Sequence, residues 1–152
     1  MALTAARLLT QLKDNMASTL NLQIVTPEGT VYSEAVEMVN LRSVDGQIGI
    51  LPHHIRLMTQ MLPGEMMVRK DGHDQFLAVG EGMVSVTGDS VAIATDMAIA
   101  AETIDEAKAE EARQRAEARL REKISDEEEA SVNASLVRSL AQLKVKRRRR
   151  TL

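Results

Sequence analysis

The sequence predicts an N-terminal all-β sandwich or barrel followed by a C-terminal α-helical hairpin, and three observations carry that expectation. Between Leu20 and Thr95, apolar and β-branched residues come in short runs that frequently alternate with polar ones, the period of strands with one buried face. The turn signals Pro27-Glu28-Gly29, Asp45-Gly46, Pro63-Gly64, Asp71-Gly72 and Gly88-Asp89 separate the runs and tolerate the positive φ that tight hairpins need. Beyond Ala101 the apolar period lengthens to between three and four, the spacing of a helix face.

The elements follow in order. Residues 1–19 form an N-terminal extension in which Leu8, Leu9, Leu12 and Met16 stand at helical spacing beside Arg7 and Lys13, as in a short docking helix or a weak presequence. Residues 20–101 make the β domain, with strands expected at Leu20–Thr26, Ala35–Leu41, Glu65–Lys70, Gln75–Val79, Met83–Thr87 and Ser90–Thr95. Their connections hold no helical crossover, so an antiparallel sheet is expected. Residues 102–152 make the two-helix arm. Thr103-Ile104-Asp105-Glu106 has the form of a capping box, which predicts a helix start at Thr103. Ala109, Ala112, Ala116, Leu120 and Ile124 then form one stripe, flanked by the pairs Glu111–Arg115 and Glu117–Arg121. Ser125-Asp126-Glu127-Glu128 opens the second helix, whose face carries Val132, Leu136, Leu140 and Leu143. Alanine contributes far less on burial than the roughly 1.5–3 kcal/mol of a leucine or valine, so the arm is expected to dock loosely.

Charge divides the chain more sharply than its net of −3 implies. Residues 1–137 hold all 22 acids and 12 bases, whereas residues 138–152 hold seven bases and no acid. Such a terminal block suits an oppositely charged partner. The absence of cysteine excludes a disulfide framework, a thiolate metal site and a cysteine nucleophile. No run approaches the roughly 20 apolar residues that cross a bilayer, and the first 20 residues lack a secretory cleavage pattern. With one tyrosine and one phenylalanine, the core falls to Val, Ile, Leu and nine Met.

Five motifs in order carry a family resemblance. Ile24 to Tyr32, IVTPEGTVY, and Asp45 to His54, DGQIGILPHH, are followed by the Leu62-Pro63-Gly64 turn, the segment from Gly80 to Val86 and Ile104 to Ala109, IDEAKA. Together with the two-helix arm they make residues 20 to about 146 resemble the epsilon subunits of bacterial and chloroplast F-type ATP synthases, counterparts of the mitochondrial delta subunit. The resemblance implies a sandwich of about ten strands, bound to the gamma subunit at the foot of the central stalk and resting on the ring of membrane c subunits. It implies an arm that folds against the sandwich or extends along gamma into the catalytic head of alpha and beta subunits, where it blocks ATP hydrolysis. No active site or resident cofactor is implied, and the location is peripheral, on the cytoplasmic face of a bacterial inner membrane.

Site residues carry over position by position. Asp45, Gly46, Gln47 and His54 match the family region facing the c ring; many relatives have an acid at Gln47, and a glutamine replaces an ionic contact with a hydrogen bond. Some relatives bind ATP at the folded arm, and for this chain the resemblance implies weak binding at most. Ile104, Asp105 and Ala109 match that motif, Lys108 stands for its arginine and Arg115 supplies the later cation, but lysine lacks the planar fork that grips phosphate twice. Ile99 also replaces an acid. Arg138, Lys144, Lys146, Arg147, Arg148, Arg149 and Arg150 are the expected contacts of the extended arm with an acidic loop of the catalytic head, sensitive to salt.

Other chemistry is more weakly signalled by the residues. His53 and His54 beside Pro52 suit a loop better than a metal site, and Gly80-Glu81-Gly82 lacks the third glycine and following helix of a phosphate cradle. Asp71-Gly72-His73-Asp74 suits a hairpin tip, and Met66-Met67 a core and rim pair. Ser85, His54 and Asp89 are joined by no motif. The rival function is nucleic-acid binding through Arg147 to Arg150, against which stand the acidic body and the lack of an aromatic platform.

Overall fold

The computed structural model describes residues 4–9 and 18–151, with side chains described through Arg148. Residues 4–9 form a helical turn, α1, on which Leu8 and Leu9 are exposed; Leu12 and Met16 lie outside the described residues. Ten strands follow: β1 (Leu20–Thr26), β2 (Gly29–Val36), β3 (Met38–Ser43), β4 (Gly46–Ile50), β5 (Leu57–Met61), β6 (Gly64–Lys70), β7 (His73–Val79), β8 (Gly82–Thr87), β9 (Ser90–Thr95) and β10 (Ala98–Ala100). A 3-10 turn at Ala101–Thr103 leads to α2 (Glu106–Leu120) and α3 (Asp126–Thr151).

The strands form two layers. One runs β10-β7-β6-β3 with β4 on β3, the other β5-β8-β9-β1-β2, and Ser43 opposite Met61 joins them at a corner. β1 shows how the sequence builds this: Leu20, Leu22, Ile24 and Thr26 face the core while Asn21, Gln23 and Val25 face out, as a period of two dictates. Leu22, Ile24, Val39, Leu41, Ile50, Met61, Met66, Val68, Val84 and Ile93 fill the space between the layers.

Three expectations are corrected. The run Ala35–Leu41 is two strands, broken at Glu37, whose N–H donates to Arg69 O at 2.8 Å; the chain changes layers there, which apolar alternation cannot register. β1 and β9 pair in parallel, Leu22 opposite Val91 and Ile24 opposite Ile93. No local crossover is needed because the rest of the sandwich makes the connection. Finally, β2, β4, β5 and β10 had no separate signal in the alternation, since β2 is largely exposed and β10 has only three residues.

The arm departs from expectation in its details. Asp105, not Thr103, caps α2: its Oδ1 accepts from Lys108 N–H at 3.2 Å, while Thr103 Oγ1 donates back to Ala100 O. Ser125 caps α3 as the second box predicts, accepting from Glu128 N–H at 3.3 Å. Glu111–Arg115 forms at 3.3 Å, but Glu117 pairs with Arg113 rather than with Arg121. α3 continues through the arginine run to Thr151.

Candidate functional site

α3 is buried along two opposite stripes, and this arrangement organises the functional surface. Val132, Leu136, Ser139 and Leu143 recur every three or four residues and form the stripe toward α2, where Val132 lines a groove with Ala112 and Ala116. Leu140 lies about 70° from the centre of that stripe at 100° per residue and is 46% exposed, contrary to expectation. Buried Ser139 takes the central place instead, its hydroxyl donating to Ser135 O at 2.9 Å. On the other side, Arg138, Ala141, Val145 and Arg148 face the sandwich. Val145 is buried with Ala78, Ala101 and Ile104, against Phe76, Met97 and Ile99.

Four of the basic residues, Arg138, Lys146, Arg147 and Arg148, are engaged within the chain. Arg138 lies 3.7 Å from Asp96 at the β9–β10 connection. Lys146 Nζ donates to Ala101 O at 3.2 Å, and Arg147 pairs with Glu106 at 3.4 Å and with Glu110 at 3.0 Å. Arg148 pairs with Glu65 and lies 5.2 Å from the Phe76 ring centroid. Lys144 is exposed on the outer side; the side chains of Arg149 and Arg150 lie outside the described residues. The hairpin is clipped at its far end by Arg119, which donates to Glu128 at 2.7 Å. Sequence patterning missed the acceptors on the sandwich, Glu65, Phe76 and Asp96. Their signals were faint: an acid opening an apolar strand and the only phenylalanine of the chain.

Asp45, Gly46 and Gln47 sit together on the β3–β4 hairpin. Buried Ser43 shapes it, with Oγ donating to Gly46 O at 2.9 Å and accepting from Asp45 N–H at 3.2 Å. Gln47 turns toward Asn40, to which its amide donates, and the two line a cleft with Glu65, Met67, Asp74, Phe76 and Arg148. His54 is separate, in the β4–β5 connection, where Nδ1 lies 2.7 Å from Ile55 O. No described hydrogen bond or ion pair joins it to the hairpin.

The nucleotide set is only partly gathered. Ile104 is buried in the arm–sandwich cluster, and the Asp105 carboxylate is used as the helix cap. Lys108 and Arg115 share one face of α2 two turns apart, roughly 10 Å along the axis at 1.5 Å per residue, and Arg115 is paired with Glu111. Among the described residues no group of His and acids is placed to hold a metal. His53 has a φ of 64° and lies 3.9 Å from Asp89, both well exposed. His54 makes no described contact with Ser85 or Asp89. Gly80 and Gly82 are close-packing positions, and Asp71 with Gly72, at φ 51° and 74°, forms the hairpin tip. Met66 is core and Met67 rim.

Electrostatics follow the ion pairs. Lys70 donates to Glu34 and Arg69 to Asp74, and these bonds lower both carboxylate pKa values; Arg113 does the same for Glu110. Burial first, then the charge of Glu34, pushes the Tyr32 phenol up to about 12. On the layer away from the arm, Met58, 72% exposed, Met83, Ala92, Ala94 and Val25 leave an apolar surface uncovered.

Comparison with known proteins places these features. Residues 19–101 match the family model described as "ATP synthase, Delta/Epsilon chain, beta-sandwich domain", and residues 102–147 the one described as "ATP synthase, Delta/Epsilon chain, long alpha-helix domain". The ATP synthase epsilon chain of Herpetosiphon aurantiacus is 40% identical over 131 residues, covering 86% of this chain and 96% of that one. The epsilon chain of Bacillus subtilis is 43% identical over 108 residues, 71% of this chain and 82% of its own. A chain in the structure of the Euglena gracilis mitochondrial ATP synthase, OSCP/F1/c-ring, shares the fold with a TM-score of 0.70 at 22% identity, over 84% of this chain and 80% of that one.

Proposed function

We propose, from the fact that this chain belongs to the ATP synthase delta/epsilon chain family, that it is a noncatalytic central-stalk subunit whose arm restrains ATP hydrolysis. One observation carries the regulatory part: Arg138, Lys146, Arg147 and Arg148 already bind acceptors of their own chain in the folded arm. Arg138 and Arg148 become available to an acidic partner only when α3 leaves the sandwich, Lys146 when it leaves Ala101, and Arg147 when α3 also parts from Glu106 and Glu110 of α2. The release needs little energy. The buried apolar contact with the sandwich centres on Val145, Ala101 and Ile104, of order a few kcal/mol, and the exposed Arg138–Asp96 pair adds about 0–1 kcal/mol. A partner binding the extended form with a comparable preference therefore shifts the population.

The sandwich is the fixed part. Its β3–β4 hairpin, with Asp45, Gly46 and Gln47, meets the c ring, and the uncovered face of Met58 and Met83 receives the gamma subunit. The assembled protein is peripheral on the cytoplasmic face of a bacterial inner membrane; among the described residues no helix is long and apolar enough to cross one. ATP binds the isolated chain weakly at most, because Lys108 replaces an arginine and Asp105 is committed to its cap. A titration giving millimolar or tighter affinity would overturn that statement.

The test of the regulatory role is truncation after Leu143 in the assembled enzyme at low salt. Inhibition of hydrolysis is expected to fall, and added salt to weaken the full-length subunit's inhibition in the same direction. Unchanged inhibition would refute the role of the basic end. Nucleic-acid binding gains no support, since Arg147 and Arg148 are paired with Glu106, Glu110 and Glu65 of the same chain.

A further inference from the structure

Glu65 opens β6 with a side chain only 12% exposed. One carboxylate oxygen accepts from Arg148, and the other is buried with no hydrogen-bond partner. A carboxylate so far withdrawn from water needs a cation beside it. The strand register explains the rest of the setting. Glu65 pairs with Ala78 and Met67 with Phe76, so all four side chains share the outer face of the β6–β7 pair. The Phe76 ring lies flat enough beneath Arg148 to place its guanidinium 5.2 Å from the centroid. The amides of Asn40 and Gln47, bonded to each other, line the cleft as well, and Asp74, claimed by Arg69, adds negative charge to it.

We propose that this cleft is a guanidinium-binding site whose resident ligand is Arg148, and that it latches the folded arm by the end of α3. A carboxylate for charge and an aromatic face for stacking are the recognition set of a planar, delocalised cation, which arginine satisfies and lysine does not. The latch lies beyond the apolar contact at Val145, so it holds the final turns, where a helix most readily frays. Opening it exposes the Glu65 charge and frees Arg148 together. The inference rests on the mobile-arm reading above, and it adds the position from which release begins.

The chain contains no cysteine, so Lys144→Cys with Arg42→Cys places two spin labels at exposed positions, one on the arm and one on the sandwich. Pulsed distance measurements on the full chain then report docking. A dominant short distance is expected in the otherwise native chain. Arg148→Ala and Glu65→Gln should each raise the long-distance population about fivefold, and the double substitution should add little to either. Arg148→Lys and Phe76→Leu should give intermediate increases, because each keeps the charge pair and loses the stack. Unchanged distances in Arg148→Ala, or fully additive effects of the two substitutions, would overturn the latch. Hydrolysis by the assembled enzyme carrying Glu65→Gln, which leaves every cation of the arm in place, separates the two claims: longer distances with an unchanged rate uphold the latch and refute the regulatory arm.

Discussion

Gly82 has no room for a side chain: a methyl group there would sit 2.3 Å from the Ala94 carbonyl oxygen, in backbone that cannot swing aside. Gly80→Ala meets the Asp96 carboxylate at 1.8 Å instead, and that group can rotate. Gly82→Ala is therefore expected to cost about 1–3 kcal/mol in thermal or denaturant unfolding, and Gly80→Ala less, with its effect partly on the Arg138–Asp96 pair. Equal losses would contradict this ranking. The lone tyrosine gives a second test at this scale. Its phenol is favoured in the neutral form by burial and by Glu34, so its absorbance change should centre near 12 rather than 10, and its contribution to stability should hold below pH 10 and fade as pH rises toward 12. A midpoint near 10 would show Tyr32 to be solvated. Gly80-Glu81-Gly82 was legible as a bend or close-packing site rather than a phosphate cradle because the motif lacks what phosphate binding needs; the buried acceptor Glu65 was not, because one acid at a strand end looks like any surface acid.

Elements were legible where their period was undisturbed. β1 and β9 have the bounds that alternation gave them, and Ser125 caps α3 as its box predicts. α2 shows the limit. Thr103 and Asp105 both suit a cap, and the choice fell to Asp105 because the chain before it is tied into a 3-10 turn against the sandwich. Asp105→Ala is expected to cost about 1 kcal/mol of helix stability and Thr103→Ala much less, read from amide exchange in the first turn of α2. The reverse order would restore the sequence assignment. Leu140 failed for a related reason: a leucine count finds hydrophobes, whereas the angle of Ser139 decides which position packs. The stripe of Ala141 and Val145 was hidden by the arginines at its ends, which serve the same face by pairing with the sandwich.

At the scale of the whole molecule, charge holds the parts that apolar contact does not. Glu34, Asp74 and Glu110 have folded pKa values below the ordinary 4.5 for glutamate and 3.8 for aspartate. Their contribution is complete above those values and is lost as pH falls through the lower folded ones. The melting temperature should thus decline from about pH 4.5 downward, and Glu34→Gln should flatten the decline; an unaltered profile would remove Glu34 from the account. The family resemblance anticipated the ten strands and the arm, while the docked arrangement of its cations depends on side chains far apart in sequence, Arg148 with Glu65 and Arg138 with Asp96. The rate of ATP hydrolysis by the assembled enzyme, with and without residues 103–152, bears most directly on the arm as a brake. A higher rate without the arm is the predicted result, and an unchanged rate would contradict it.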